Sequence, residues 1–135
     1  MTGGIILVRG SVGDHAGDRM RRNVIAVTGD ALGYAGARMI AGTLVVCGSL
    51  GTAPGLGLKR GTLVTGGILD LLPTFRYACT YRPGFLALLF RSLEGRGFAL
   101  PERFRTGGFR RYRGDFADLG KGEILQWASP SAAER

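Results

Sequence analysis

The sequence has little of the chemistry on which most active sites depend. It contains one histidine, His15, and two cysteines, Cys47 and Cys79, with no CxxC or Cys/His pair. A metal site needs several such ligands close together, so no metal site is expected, and the cysteines are expected to be reduced thiols in the interior. No GxSxG motif is present, and the glycine-rich stretch 55–61 lacks the Gly-Lys-Ser/Thr ending of a phosphate-binding loop. We therefore expect no activity from this chain alone, although these absences do not decide whether it belongs to an enzyme.

Long apolar runs and targeting signals are also missing. No stretch reaches the roughly 20 apolar residues of a transmembrane helix. The first residues, Met1–Gly4, lack the basic start and apolar block of a signal peptide. The sequence therefore predicts a cytoplasmic protein with no membrane contact, of a length that suits about one domain.

Acidic residues are scarce as well. Lysine and arginine number 18 against 10 acidic residues, which gives a net charge of +8. No helix-turn-helix or aromatic RNA-binding pattern accompanies the excess, so a nucleic-acid partner is not expected. Arginine suits carboxylates, and the candidate contacts for an acidic ligand or partner are Arg103, Arg105, Arg110, Arg111, Arg113 and Lys121. Two alternatives stay open: a solvated basic face, or internal pairing with Asp115, Asp118 and Glu123.

Glycine, in contrast, is abundant, with 24 residues, and many of them recur every nineteen positions. The runs Ile5–Val8, Val24–Val27, Thr43–Val46 and Thr62–Thr65 each precede one set of these glycines. A fixed period of this kind predicts a solenoid. Tight corners in a solenoid favour glycine because a Cβ would obstruct them. The predicted structural turn glycines are Gly10, Gly13, Gly17, Gly29, Gly33, Gly36, Gly48, Gly51 and Gly55.

The aligned repeats share their chemistry column by column. One column contains Ile6, Ile25, Leu44 and Leu63, which we assign to the interior. The adjacent column (Leu7, Ala26, Val45, Val64) is also apolar, so we expect another element or a partner to cover it. The columns predict a parallel β-helix with about nineteen residues per coil. A left-handed hexapeptide helix is disfavoured because no six-residue sub-repeat exists.

The second half follows another pattern. We assign residues 3–71 to β-helix coils, residues 72–127 to a C-terminal capping segment of irregular strands with one helix at about 83–95, and residues 128–135 to a flexible tail. Pro83 and Gly95 mark the helix ends. The fold class expected is therefore all-β with a short α-helical cap. The first coil starts near Met1 without a cap, so we expect another chain, including a second copy, to cover this open N-terminal coil, or the chain to be a shortened form.

Several blocks resemble a known family. The pattern of glycines that recur every nineteen positions is similar to that of the GXGXG domain. This domain is a right-handed parallel β-helix found in glutamate synthase and in the C-type subunit of formylmethanofuran dehydrogenase. The blocks Leu72–Tyr77, Thr80–Leu86, Arg111–Asp115 and Gly120–Leu125 resemble this C-type subunit, and in particular its version in the formyltransferase/hydrolase complex of methylotrophs. The resemblance covers about residues 3–127, and members of the family are usually about twice as long.

This resemblance implies a non-catalytic scaffold subunit in methanofuran- and tetrahydromethanopterin-linked one-carbon metabolism. Its partners would be sister subunits, this chain would bind no cofactor, and a methanofuran-type carrier could contact the arginines. The resemblance leaves the hydrolytic bacterial complex and the reductive archaeal one as alternatives. Two further alternatives remain open: a glutamate-synthase-like GXGXG domain, and a stand-alone homo-oligomeric β-helix that serves as a binding module.

Overall fold

A single mixed β-sheet of seven strands forms the centre of the protein. The structure is a computed structural model, and it describes residues 5–14, 24–51, 54–56, 58, 60–67, 75–81, 84–97, 104, 108–114 and 122–128. The strands and the one described helix are β1 (Ile5–Val8), β2 (Val24–Val27), β3 (Thr43–Val46), β4 (Thr62–Thr65), β5 (Arg76–Tyr81), α1 (Gly84–Gly95), β6 (Gly108–Gly114) and β7 (Gly122–Ala128). The strand order across the sheet is β1-β2-β3-β4-β7-β6-β5.

The repeat positions set the register of the first four strands. These strands are parallel, and each residue pairs with the residue nineteen positions later, as Ile25 does with Leu44 and Leu44 with Leu63. The strands are short and rich in β-branched residues, which suit a pleated surface with both faces covered. Equivalent side chains therefore form continuous apolar rows across the four strands.

The second half of the chain extends the same sheet. β7 lies parallel to β4, with Thr62 opposite Glu123. β6 is antiparallel to β7, and β5 is antiparallel to β6 with an irregularity between Tyr77 and Cys79. The last three strands thus change the sheet from parallel to mixed.

The prediction of a right-handed parallel β-helix is wrong. Each repeat supplies one four-residue strand to one sheet. The described segments between these strands form turns, and their only strand-like pairings are isolated bridges, Val12 to Ala31 and Ala31 to Leu50. Beyond β7, the sheet continues with β6 and β5, each of which is antiparallel to its neighbour. The physical reason is that a period fixes which residues stack on one another, but not how many sheets each repeat enters. The domain boundaries proposed from the sequence remain predictions.

Two apolar clusters cover opposite faces of the sheet. The turn-side cluster joins the strand residues Leu44, Leu63 and Ile124 to Met39 and Leu58 from the connecting segments. The helix-side cluster joins the alternate strand residues to α1 and Phe104; its main members are Ala26, Val45, Val64, Leu86, Phe90, Leu93, Phe104, Phe109 and Leu125. Elements of the same chain therefore cover Ala26, Val45 and Val64 of the second apolar column, whereas Leu7 of that column is 36% exposed.

Helix α1 provides most of that helix-side cover. Leu86, Phe90 and Leu93 recur at helical spacing and are at most 7% exposed, whereas Leu88 on the outer surface is 69% exposed. Phe90 stacks on Phe104, with ring centroids 5.5 Å apart. No helix in the described part of the chain is long and apolar enough to cross a membrane.

Candidate functional site

The turns after the strands are held together by side chains that bond to the next repeat. Ser11 Oγ accepts from the backbone N–H of Asp30 at 3.0 Å, and Asp30 Oδ1 accepts from the N–H of Ser49 at 2.7 Å. Asp14 Oδ1 likewise accepts from the N–H of Gly33 at 2.9 Å. All three bonds join residues nineteen positions apart. The carboxylates of Asp14 and Asp30 therefore satisfy turn backbone, a role in which aspartate is favoured.

Close stacking explains several of the turn glycines. A Cβ on Gly48 would lie 2.8 Å from the carbonyl oxygen of Gly29, and a Cβ on Gly51 would lie 2.7 Å from the carbonyl carbon of Leu32. Gly36 adopts a φ of +68° and Gly55 a φ of +73°, which side chains rarely tolerate.

Not all of the predicted turn glycines are equally constrained. Gly29 also stacks on the preceding repeat, since its Cβ would lie 2.8 Å from the carbonyl oxygen of Gly10. Gly10 itself has a φ of +109° with open space around it, and Gly13 has open space and no such φ. Gly17 lies outside the described residues. The repeat spacing thus identifies the turn positions, but not which of them require glycine.

The arginines of β6 alternate between the two faces of the sheet. Phe109 belongs to the helix-side cluster and Tyr112 packs against the turn-side cluster. Because side chains alternate along a strand, Arg111 and Arg113 lie on the helix side and Arg110 lies on the turn side. The six predicted contacts therefore do not converge at one place. Arg103, Arg105 and Lys121 lie outside the described residues.

Arg111 is paired within the protein. Its Nε donates to Glu123 Oε2 at 2.6 Å, with side chains that are 36% and 15% exposed. Thr62 donates its hydroxyl to Glu123 Oε1 at 3.0 Å, so both carboxylate oxygens of Glu123 are bonded. This pair matches the internal pairing left open from the sequence. It links β4, β7 and β6 on the helix side of the sheet.

Arg113 lies directly opposite Arg76 on β5. Both side chains are exposed, and directly opposed residues of neighbouring strands share a face of the sheet. Like charges directly opposite each other disfavour the pairing of their strands. Arg113 makes no ion pair with a described residue. The cross-strand pair therefore places two cations side by side at the exposed end of the sheet.

Arg110 lies in a different setting on the turn side. The residue opposite it, Gln126, donates to the carbonyl oxygen of Gly67 at 3.1 Å. The rings of Tyr77 and Tyr112 meet edge to face on the same side, with centroids 5.8 Å apart, and Tyr77 is 57% exposed. This surface offers aromatic and amide groups beside one arginine, whereas the helix side offers a cluster of cations.

Few of the other reactive residues can be placed in a site. Cys47 is buried, with 3% of its surface exposed, as expected from the sequence. His15 lies outside the described residues, and the side chain of Cys79 is not described. Among the residues that the structure describes, no three His, Cys, Asp or Glu side chains group closely enough to hold a metal ion. Among the described residues, β5 and β6 instead present arginines on both faces of the sheet, one of which is paired with Glu123.

Comparison with solved structures gives a match of high sequence identity. A chain in the crystal structure of the formyltransferase/hydrolase complex (FhcABCD) from Methylorubrum extorquens, in complex with methylofuran, is 48% identical with a TM-score of 0.85. The present chain is similar to that protein. The match covers 93% of this chain but 47% of the other, so this chain spans about half the length of the chain it matches. No protein-family model matches the sequence. No curated protein matches it.

Sequence reasoning did not place Arg76 next to the candidate contact Arg113. Arg76 lies 34 residues before Arg110 along the chain and is brought beside Arg113 only by the antiparallel pairing of β5 with β6. No local pattern encodes that pairing. Period-two alternation within β6 would have separated Arg110 from Arg111 and Arg113 once the strand was recognised.

Proposed function

We propose that this chain is a subunit of a formyltransferase/hydrolase complex and that it supports chemistry performed by sister subunits. The observation that carries the proposal is the 48% identity over 93% of the chain, together with a TM-score of 0.85, to a chain of such a complex. Identity at this level over nearly the whole of this chain supports a shared fold and a shared surface. Its proposed counterpart is the C-type subunit, as the Leu72–Tyr77 and Arg111–Asp115 blocks suggest.

The use of the polar side chains supports a scaffold role. Asp14, Asp30 and Ser11 bond to turn backbone, and Glu123 is bonded by Arg111 and Thr62. These groups hold repeats and strands together. A protein of this kind would present a fixed sheet surface to its neighbours.

The basic residues named from the sequence are the proposed contacts for a methanofuran-type carrier. The similar complex is bound to methylofuran, and guanidinium groups bind carboxylates well. The proposed contacts are Arg103, Arg105, Arg110, Arg111, Arg113 and Lys121. Replacing Arg110, Arg111 and Arg113 with alanine in the assembled complex should weaken the affinity for the carrier. Unchanged carrier affinity in this triple variant would contradict the contact.

Co-purification tests membership of the complex. The chain, tagged at one end, should recover the sister subunits from cells of its source organism, and mass spectrometry should identify them. The tag on an unrelated β-sheet protein is the control. Recovery of the tagged chain alone, or with unrelated proteins only, would contradict membership. Formyl transfer by the purified single chain would contradict a supporting role.

A further inference from the structure

We infer that β1 is a dimerisation strand, which pairs antiparallel with β1 of a second copy of this chain across a twofold axis at Leu7. The inference goes beyond the proposed function, since it concerns a contact between two copies of this chain and not a contact with sister subunits. It starts from the outer edge of β1, the strand at which the strand order of the sheet ends.

The outer edge of β1 has none of the features that usually prevent strand edges from associating. Such edges commonly carry charged residues or proline, but the residues of β1 are Ile-Ile-Leu-Val. Ile6 is 38% exposed and Leu7 is 36% exposed, whereas Ala26 and Val45, which follow Leu7 in its column, are 0% exposed. No described strand pairs with the outer edge. A strand added there would bury apolar side chains that the described part of the chain leaves exposed.

The backbone of β1 offers a donor and an acceptor at this edge. The carbonyl oxygen of Val8 accepts from the N–H of Thr28 at 3.1 Å, so the backbone groups of Val8 point toward β2. These groups alternate in direction along a strand, so those of Leu7 point away from β2. An antiparallel strand with its own Leu7 directly opposite would therefore exchange two N–H···O=C bonds with this residue.

The side chains of β1 are complementary to themselves in this register. A twofold axis perpendicular to the sheet keeps the α1 side of both copies on the same side, with Leu7 opposite Leu7 and Ile6 opposite Val8 of the second copy. All of these opposed pairs are apolar. Val8 packs against the turn-side cluster and Ile5 against the helix-side cluster, so both clusters reach β1 and would continue across the axis.

Charge favours a contact between copies at β1 over the other exposed surfaces. Two copies with a net charge of +8 repel each other, and β1 contains no charged residue. The exposed arginines Arg76 and Arg91 lie on β5, at the opposite edge of the sheet, and on α1. Pairing of β1 with β5 of another copy would also leave a free edge at each end, whereas pairing of β1 with β1 closes as a dimer.

Sedimentation equilibrium of the purified chain tests the inference. The wild type should show a monomer–dimer equilibrium that tightens as salt is raised, because salt screens the repulsion between the copies. Leu7→Lys should dimerise at least about tenfold more weakly, because two lysines would face each other at the axis. Leu88→Lys is the matched control, since Leu88 lies on α1 and is 69% exposed, and it should dimerise like the wild type.

Circular dichroism should show that both lysine variants are folded. A wild-type chain that stays monomeric at all concentrations measured would overturn the inference. A folded Leu7→Lys variant that dimerises as tightly as the wild type would also overturn it.

Disulfide cross-linking tests the register without placing a charge at the contact. Leu7→Cys should give a covalent dimer on oxidation, because opposed hydrogen-bonded residues have Cα atoms about 5.5 Å apart, within the range of about 4.4–6.8 Å for disulfides. Ile6→Cys is the control, since Ile6 and its copy are diagonal neighbours about 7–8 Å apart. Both variants carry Cys79→Ser. More cross-linking through Ile6→Cys than through Leu7→Cys would overturn the axis at Leu7.

The outcomes separate this inference from the proposed function. A dimer that Leu7→Lys abolishes, in a chain that recovers no sister subunits, would support the inference and contradict the proposed function. A monomeric chain that recovers sister subunits, and loses them with Leu7→Lys, would assign β1 to a sister subunit and overturn the inference alone.

Discussion

Substitution of Gly48 by alanine tests why the repeats need glycine at their turns. The new Cβ would lie 2.8 Å from the carbonyl oxygen of Gly29 and 3.0 Å from its carbonyl carbon, and it would also meet Asp30 Oδ1. Backbone of the preceding repeat cannot yield as a flexible side chain does. Overpacking of this kind costs about 1–3 kcal/mol. Displacing Asp30 would also weaken its bond to the Ser49 N–H, a bond worth about 1 kcal/mol.

Two effects reduce the net destabilisation that Gly48→Ala causes. Alanine restricts the unfolded chain more than glycine does, which favours folding by about 0.4–1 kcal/mol. Asp30 is exposed, so water can replace part of its lost bond. We therefore expect Gly48→Ala to lower the free energy of unfolding by about 1–3 kcal/mol.

Gly13→Ala is the matched control. Gly13 occupies a turn of the first repeat, and a Cβ there would meet nothing within 4 Å. This variant should gain the unfolded-state term of about 0.4–1 kcal/mol without a clash. The two variants should then differ by about 1–4 kcal/mol, since the unfolded-state term is common to both. With a slope of about 2 kcal/mol per molar urea, the unfolding midpoints should differ by about 0.5–2 M.

Urea unfolding followed by circular dichroism measures this difference. The wild type should lie between the two variants, with similar slopes in all three. A Gly48→Ala protein as stable as Gly13→Ala would refute the account, since it would show that close stacking of neighbouring repeats does not select glycine at this position.

Three further predictions follow from packing and from the edge of the sheet. Asp30→Ala should destabilise the fold by about 1 kcal/mol, and Asp30→Asn should restore most of that loss in chemical unfolding, since the amide oxygen can still accept from the Ser49 N–H. Leu63→Ala should lower the free energy of unfolding by about 2–5 kcal/mol, because Leu63 is 0% exposed. Leu88→Ala should lower it by well under about 1 kcal/mol, because Leu88 is 69% exposed. Equal shifts of the melting temperature in the two variants would contradict this ordering. Ile6 on the outer strand β1 is 38% exposed, and we predict that the chain self-associates through this strand. Ile6→Lys should therefore abolish the dimer measured by sedimentation equilibrium. A dimer that this substitution leaves unaltered would show that the contact lies elsewhere.

The pairing of the first four strands could be predicted from the sequence. The nineteen-residue spacing places Ile25, Leu44 and Leu63 in one column, and the sheet pairs them in that order. The spacing also places Ser11, Asp30 and Ser49 in one column, where successive residues bond across the repeats. Both outcomes follow because a constant repeat length gives every repeat the same position relative to its neighbour.

The remainder of the sheet could not be predicted from that period. Thr62 pairs with Glu123, sixty-one residues later and outside the repeats, so nothing periodic indicates the contact. A β-helix needs several strands per repeat, whereas the described connecting segments contribute only the single bridges at Val12, Ala31 and Leu50. Short glycine-rich segments carry too little alternation to distinguish a turn from a further strand.

The candidate site was predictable in composition but not in arrangement. The sequence identifies the basic run Arg110–Arg113, but the faces on which its members lie depend on the strand boundaries of β6. The neighbour of Arg113 comes from β5, far earlier in the chain. Charge counts therefore left an acidic ligand or partner, a solvated basic face and internal pairing as alternatives, whereas the tertiary pairing decides which arginines lie side by side.

Native mass spectrometry of the formyltransferase/hydrolase complex purified from the source organism tests the central claim most directly. We predict an assembly whose mass includes this chain. When the assembly is partly dissociated, we predict subcomplexes that contain this chain bound to sister subunits. A complete, active complex that lacks this chain, with the chain found elsewhere as an isolated species, would contradict the claim.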